Sequence, residues 1–251
     1  MRILYAEDYE GMSFNAAKVM ASVIINKPDA VLGLATGSSP VGMYEDLADW
    51  YRKGIISFRQ CRSVNLDEYV GLSPEHNMSY AYFMRENLFK NVDIDMKNVN
   101  IPSGLAKDGD AECARYDAVI DSLGGIDIQL LGIGNNGHIG FNEPADHFPL
   151  GTHRVTLTDS TIDANKRFFA SRDDVPRFAY TMGIKPIMQA KKVLLVASGE
   201  GKAEILEKAF FGPVTPEVPA SILQMAEDLV VCADRAALSV IMKKHPECVE
   251  K

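Results

Sequence analysis

Asp67 and Glu68 stand side by side in Asn65-Leu66-Asp67-Glu68-Tyr69-Val70-Gly71, a run that directly follows the segment CRSVNL at 61–66. Two adjacent acids at a strand end put at least one carboxylate into the crevice there, where partial desolvation raises its pKa toward that of a general base. Asp67 is nearer the strand end and is the better candidate. Glu68 is expected to point away, solvated or structural, and the pair also suits a helix cap or a plain surface role. A second run, Gly132-Ile133-Gly134-Asn135-Asn136-Gly137-His138-Ile139-Gly140-Phe141-Asn142-Glu143-Pro144, crowds four glycines around one histidine. So many glycines imply a backbone packed tightly or passing close to a ligand. A histidine there can shuttle protons near neutral pH, and Glu143, five residues on, can orient the imidazole and stabilise its charged form. No serine-nucleophile motif accompanies them, which favours proton transfer over covalent catalysis. A third run, Ala35-Thr36-Gly37-Ser38-Ser39-Pro40, offers hydroxyls and the free amides of a following helix to an anion. It lacks the GK[ST] of a Walker loop and the GxGxxG of a dinucleotide site. Taken alone it is equally ordinary helix capping.

These three runs need rigid elements to hold them. Short apolar segments, AVLGLA (30–35), CRSVNL (61–66), IDIQLLGIG (126–134), KKVLLVAS (191–198) and DLVVCA (228–233), read as buried strands. Helical periodicity fills the intervals at 9–25, 40–52, 77–89, 108–123, 201–211 and 235–244. Strands that are apolar throughout and separated by helices predict a doubly wound α/β fold, a single, mostly parallel sheet with helices on both faces. Ligands in such sheets bind beyond the carboxyl ends of the strands, where all three runs are expected. One domain over 1–251 is expected. The segment 145–183 loses the clean period and reads either as an active-site cover or as a connection holding a short strand (RVTLT) and a short helix (TIDANKRFF).

Composition closes off other classes. The formal charge of -8 gives no general attraction to nucleic acid or to an anionic membrane, and no apolar run reaches membrane-spanning length. The acidic, polar start MRILYAEDYEG is unlike a signal peptide, so a cytoplasmic protein is expected. The four cysteines are scattered without a CxxC pair, and His138 has neither an HExxH frame nor a second histidine nearby, so no metal site or disulfide framework is expected.

In order and in strand-end position, TGSSP, NLDEYVG and GxGxxGHIGFNEP resemble the motifs of glucosamine-6-phosphate deaminases, over nearly the whole chain. The related 6-phosphogluconolactonases differ at both places, with Asp-Glu-Arg after the strand and a GHTASLFP-like loop. The resemblance implies ring opening of the amino sugar, transfer of the C2 proton toward C1, and loss of ammonia to give fructose 6-phosphate, without a cofactor. It implies Asp67 as the C2 base, His138 as the ring-opening acid/base and Glu143 as its partner. Thr36, Gly37, Ser38, Ser39, Arg167 and Lys202 look like ligands of the substrate phosphate, although Arg167 and Lys202 by themselves read equally as surface charges.

Two departures stand out. Many family members carry Asp where this chain has Asn136, while others share the Asn; an amide can orient but supplies no charge, leaving the electrostatic role to Glu143. Allosteric hexameric members have a basic cluster after the NEP motif and a longer C-terminal tail, whereas this sequence reads HFPLGTHRVTLT and ends at Lys251. Activation by N-acetylglucosamine 6-phosphate is therefore not expected, and monomer and homo-oligomer stay open. Galactosamine 6-phosphate would suit the same proton-transfer groups. A sugar-phosphate sensor is the contrasting reading, set against the start on a strand (RILYA), the acidic balance and the intact Asp67, His138 and Glu143.

Overall fold

A computed structural model describes residues 1–166, 169 and 171–250. Eight strands form one sheet in the order β11-β1-β10-β9-β6-β2-β3-β5: β1 (Arg2–Ala6), β2 (Val31–Leu34), β3 (Arg62–Asn65), β5 (Val99–Asn100), β6 (Ile128–Leu131), β9 (Val193–Ala197), β10 (Leu229–Asp234) and β11 (Val249–Glu250). Every pairing in it is parallel. Every residue of β2, β6, β9 and β10 is buried, as apolar strands covered on both faces must be. The doubly wound sheet expected from the sequence is thus present.

The helices are α1 (Tyr9–Asn26), α2 (Val41–Arg52), α3 (Tyr80–Asn87), α4 (Gly109–Ser122), α5 (Asp159–Asn165), α6 (Ile184–Met188), α7 (Ala203–Phe211) and α8 (Ser239–Lys244). Side-chain caps fix several starts: Asp8 accepts from the Gly11 N–H, Ser79 from Tyr82 and Asp108 from Ala111. The Ser79 cap explains why α3 begins later than periodicity alone suggests. Likewise, α8 begins at Ser239 because Asp234 ties the Ala237 N–H into a turn after β10.

Strand order reverses between β2 and β6. From β2 the chain steps outward to β3 and β5; from β6 it steps the other way to β9 and β10. The carboxyl ends of β2 and β6 therefore splay apart and open a crevice.

A second sheet, which the sequence reading did not foresee, stands beside that crevice: β4 (Asp67–Tyr69), β8 (Phe178–Thr181) and β7 (His153–Thr156), all antiparallel. It has its own small core of Tyr69, Phe141, Leu157, Ile162, Val175 and Ala179. The segment 145–183 is thus largely structured. Its strand covers most of RVTLT, and α5 covers the described start of TIDANKRFF. Among the described residues no helix is long and apolar enough to cross a membrane.

Candidate active site

The crevice is a cavity of about 710 Å³ lined by all three runs, with Thr36, Gly37, Ser38 and Ser39 after β2, Asp67 beyond β3, Asn136 and His138 after β6, and Lys202 beyond β9. Residues 167, 168 and 170 lie outside the described residues, so the expectation for Arg167 has no structural counterpart.

Asp67 is the first residue of β4, paired with Thr181 of β8. Its side chain lines the cavity yet is only 6% exposed. No hydrogen bond from the described residues reaches its carboxyl group. Burial therefore pushes this carboxyl up to about 8, and the neighbouring Glu68 adds to the rise. A carboxylate of that basicity, largely buried and facing a cavity, is a general base matched to a weakly acidic C–H.

Glu68 points the other way, as the alternation of a strand requires. It is not solvated: at 2% exposure it accepts from the N–H groups of Tyr69, Tyr80 and Ala81, the last two in the first turn of α3.

His138 sits in a tight turn in which Gly137 donates to the Gly134 carbonyl and Gly134 to the His138 carbonyl. Gly137 adopts φ +89, the left-handed region where a side chain would be strained. Gly134 matters for a different reason. The imidazole lies directly over its α-carbon, and a β-carbon there would come within 2.4–2.5 Å of Cε1, Nδ1 and Nε2 of the ring.

Nδ1 of His138 faces Glu143, 3.4 Å from its Oε1, a contact too poorly aligned for a hydrogen bond. Nε2 is left for the cavity. Asn136 donates to Glu143 Oε2 at 2.6 Å and accepts the His138 N–H at 3.2 Å, so the amide spans the acid and the histidine backbone. Thr161 of α5 donates to Glu143 Oε1, and Thr158 approaches the same oxygen at 3.4 Å. Burial alone would raise Glu143, but the His138 imidazole, Thr161 and Asn136 outweigh it and hold the carboxyl at about 2. It is therefore ionised at any physiological pH and holds a negative charge beside the ring.

The TGSS loop lines the cavity and runs into α2; Tyr9 braces the junction, its hydroxyl donating to the Ser38 carbonyl and accepting the Gly42 N–H. Lys202 ends the turn Glu200–Lys202 and donates to Asn135 Oδ1 at 2.6 Å. Asp234 steadies this corner by accepting from the Ser198 hydroxyl and the Gly199 N–H. Among the described residues no group of three or more His, Cys, Asp or Glu side chains could hold a metal ion.

Several cavity residues had no sequence signal of their own. Thr161 lay inside a segment read as cover or connection, Tyr80 inside the helical period at 77–89, Asn135 inside the glycine-rich run without a role of its own, and Ser198 at the end of the strand segment 191–198.

Residues 11–232 match the family model for glucosamine-6-phosphate isomerases/6-phosphogluconolactonase. The chain belongs to this family. Within the isomerase/lactonase family it is similar to glucosamine-6-phosphate deaminases. The protein of that name from Lachnoclostridium phytofermentans is 58% identical over 231 residues, 92% of this chain and 98% of the relative. The one from Clostridioides difficile is 52% identical over 249 residues, 99% and 100% of the two chains. A solved monomeric glucosamine-6-phosphate deaminase superposes with a TM-score of 0.93 at 46% identity, covering 96% of this chain and 100% of that one. The resemblance drawn from the three motifs and the doubly wound fold expected from the strand and helix pattern are both upheld by these likenesses.

Proposed function

We infer that this chain converts glucosamine 6-phosphate and water to fructose 6-phosphate and ammonia. The observation that carries the reading is one cavity joining a buried carboxyl of raised pKa, an imidazole beside an ionised carboxylate, and the hydroxyl-rich TGSS loop with Lys202. That juxtaposition supports assigning Asp67, His138 and Glu143 to proton transfer and Thr36, Gly37, Ser38, Ser39 and Lys202 to the phosphate, with Asn136 as the group that orients Glu143.

His138, supported by Glu143, takes the proton of the C1 hydroxyl and returns it to the ring oxygen, opening the sugar to its aldehyde. Asp67 then removes the C2 proton. The electron pair moves through C2–C1 to the carbonyl oxygen and gives an enolamine, which is reprotonated at C1. The resulting C2 imine adds water and expels ammonia, leaving the ketose. The steps are proton transfers and one hydrolysis, within reach of these side chains and water. The likeness to named glucosamine-6-phosphate deaminases favours this epimer over galactosamine 6-phosphate, and catalysis over sensing. The likeness to a monomeric deaminase supports a monomer, and the whole chain serves as one catalytic domain in the cytoplasm.

An ammonia-release assay tests the reading. Glucosamine 6-phosphate should release ammonia, and galactosamine 6-phosphate should do so with a lower kcat/KM; equal or reversed preference overturns the epimer, and silence with both overturns the activity. Replacing Lys202 with Ala should raise KM by roughly 10–100-fold while leaving kcat within a few-fold, as loss of a charge-assisted hydrogen bond to the phosphate would. Steady-state kinetics with glucosamine 6-phosphate check the split between the two constants.

A further inference from the structure

Two carboxylates sit next to each other in the three-residue strand β4, both buried, and only one faces the cavity. A second buried acid beside a proposed base carries a desolvation cost, so its role calls for a physical account. The surroundings of the two differ sharply. Both oxygens of Glu68 are occupied as acceptors: Oε1 by the Tyr69 N–H at 2.8 Å and the Tyr80 N–H at 2.9 Å, Oε2 by the Ala81 N–H at 2.9 Å. Burial pushes the Glu68 carboxyl up, and these three N–H donors, with the positive end of α3, work against that rise by favouring the ionised form. The Asp67 carboxyl has no donor among the described residues. As pH rises Glu68 should therefore lose its proton first, and Asp67 must then ionise against a negative charge one residue away.

We propose that Glu68 is a positioning residue for the Asp67 base: pinned to the first turn of α3, it fixes the β4 backbone that aims Asp67 into the cavity and sets a negative charge behind it. The inference rests on Asp67 being the C2 base.

The geometry makes both halves of this role specific. The three N–H bonds come from β4 itself and from α3, so Glu68 welds the short strand to the helix that carries Tyr80 into the cavity wall. On its other side β4 pairs with β8, which sets uncharged Thr181 opposite Asp67 and Tyr180 opposite Glu68. The remaining titratable groups that feel the Asp67 charge are Tyr69 of β4, Tyr80 of α3 and Tyr116 of α4. Burial pushes all three phenols well above their ordinary range, so they stay neutral and do not offset Glu68. Across the cavity stand His138 and Lys202, each engaged with the Asn135–Glu143 loop: the imidazole faces Glu143 and the ammonium bonds Asn135. Glu68 is thus the one charged side chain adjoining Asp67 on its own strand, and the one that raises it.

The test compares E68Q and E68D with the wild-type chain. The wild-type kcat/KM should rise with pH along a limb near 8, the value to which Asp67 is pushed. In E68Q the charge is gone while most of the shape is kept, and the limb should move down by about one pH unit. In E68D the charge stays but the hydrogen bonds are broken or lengthened, so the limb should hold its position while kcat falls. A limb unmoved in E68Q, with only the melting temperature lowered, would reduce Glu68 to a helix cap and overturn the proposal. If E68Q fails to fold, a carboxyl ¹³C titration of the wild-type chain decides. Glu68 should titrate before Asp67, and the opposite order contradicts the inference. Because that titration needs no turnover, its failure is distinguishable from failure of the deaminase reading, which the ammonia assay tests separately.

Discussion

Replacing Asp67 with Asn should lower kcat for ammonia release by at least about 10³-fold, near the upper range for loss of a general base. The amide keeps the size and most of the shape of the carboxyl but cannot accept the C2 proton. The fold should survive, since Asp67 makes no hydrogen bond to the described residues and its buried charge is a cost to the native state. A gain in melting temperature is expected for the same reason, growing from the ordinary carboxylate range up to about pH 8 and level above it. The sign follows from the raised pKa: the native state resists losing this proton, so in the wild type the Asp67 contribution weakens as pH rises through about 8, and the neutral amide removes that loss. Affinity for an open-chain sugar phosphate lacking the aldehyde should be unchanged, because the TGSS loop and Lys202 are untouched. Parallel measurement of kcat, melting temperature and analogue affinity checks all three. A variant that turns over normally would remove Asp67 from the mechanism.

Replacing Gly134 with Ala should cost about 10²-fold in kcat, the penalty for displacing a catalytic group by around an ångström. Gly134 is not in the left-handed region, so alanine meets no backbone strain there. Its single added carbon instead would lie 2.4–2.5 Å from three atoms of the His138 ring, and the ring must move. Glu143 should stay where it is, held by Asn136 and Thr161. Ring opening then slows while the proton-abstracting side of the cavity remains intact. This makes a diagnostic pair with the Asp67 variant: supplying substrate already in the open-chain form should restore part of the Gly134→Ala rate and none of the Asp67→Asn rate. If Gly134→Ala keeps full kcat, the imidazole need not occupy the position seen here.

Those two residues also mark how far the sequence could be read. The strands at 30–35, 126–134, 191–198 and 228–233 were legible because a parallel sheet covered on both faces writes itself as unbroken apolar runs. From that class alone, the strand-end rule placed TGSS, NLDEYVG and the glycine-rich run in one crevice, which is where the cavity lies. The four glycines around His138 signalled close backbone approach. Which of them supports the imidazole is a fact of three-dimensional contact, and Gly134 could not be singled out. The second sheet escaped notice because β4 has three residues, two of them acids, and its partner strand β8 is more than a hundred positions away. For the same reason, which of two adjacent acids is held by α3 and which faces the cavity depended on a pairing no local pattern encodes. Thr161 was hidden likewise: its hydroxyl reaches Glu143 across 18 positions, from a helix that local pattern could assign only to a connection. Asn136, where the sequence carries an amide in place of a carboxylate, donates to Glu143 Oε2. The amide orients Glu143 and leaves that carboxylate as the charged neighbour of the imidazole.

The central claim is that Asp67 takes the proton from C2, and the fate of that hydrogen reports on it directly. Glucosamine 6-phosphate deuterated at C2 should be converted by the wild-type chain to fructose 6-phosphate with the label gone from C2, found at C1 or in water, and with a slowed enolisation step. The Asp67→Asn chain, bound to the same substrate, should leave the label at C2 indefinitely. Loss of the C2 label at an undiminished rate in Asp67→Asn would contradict the account.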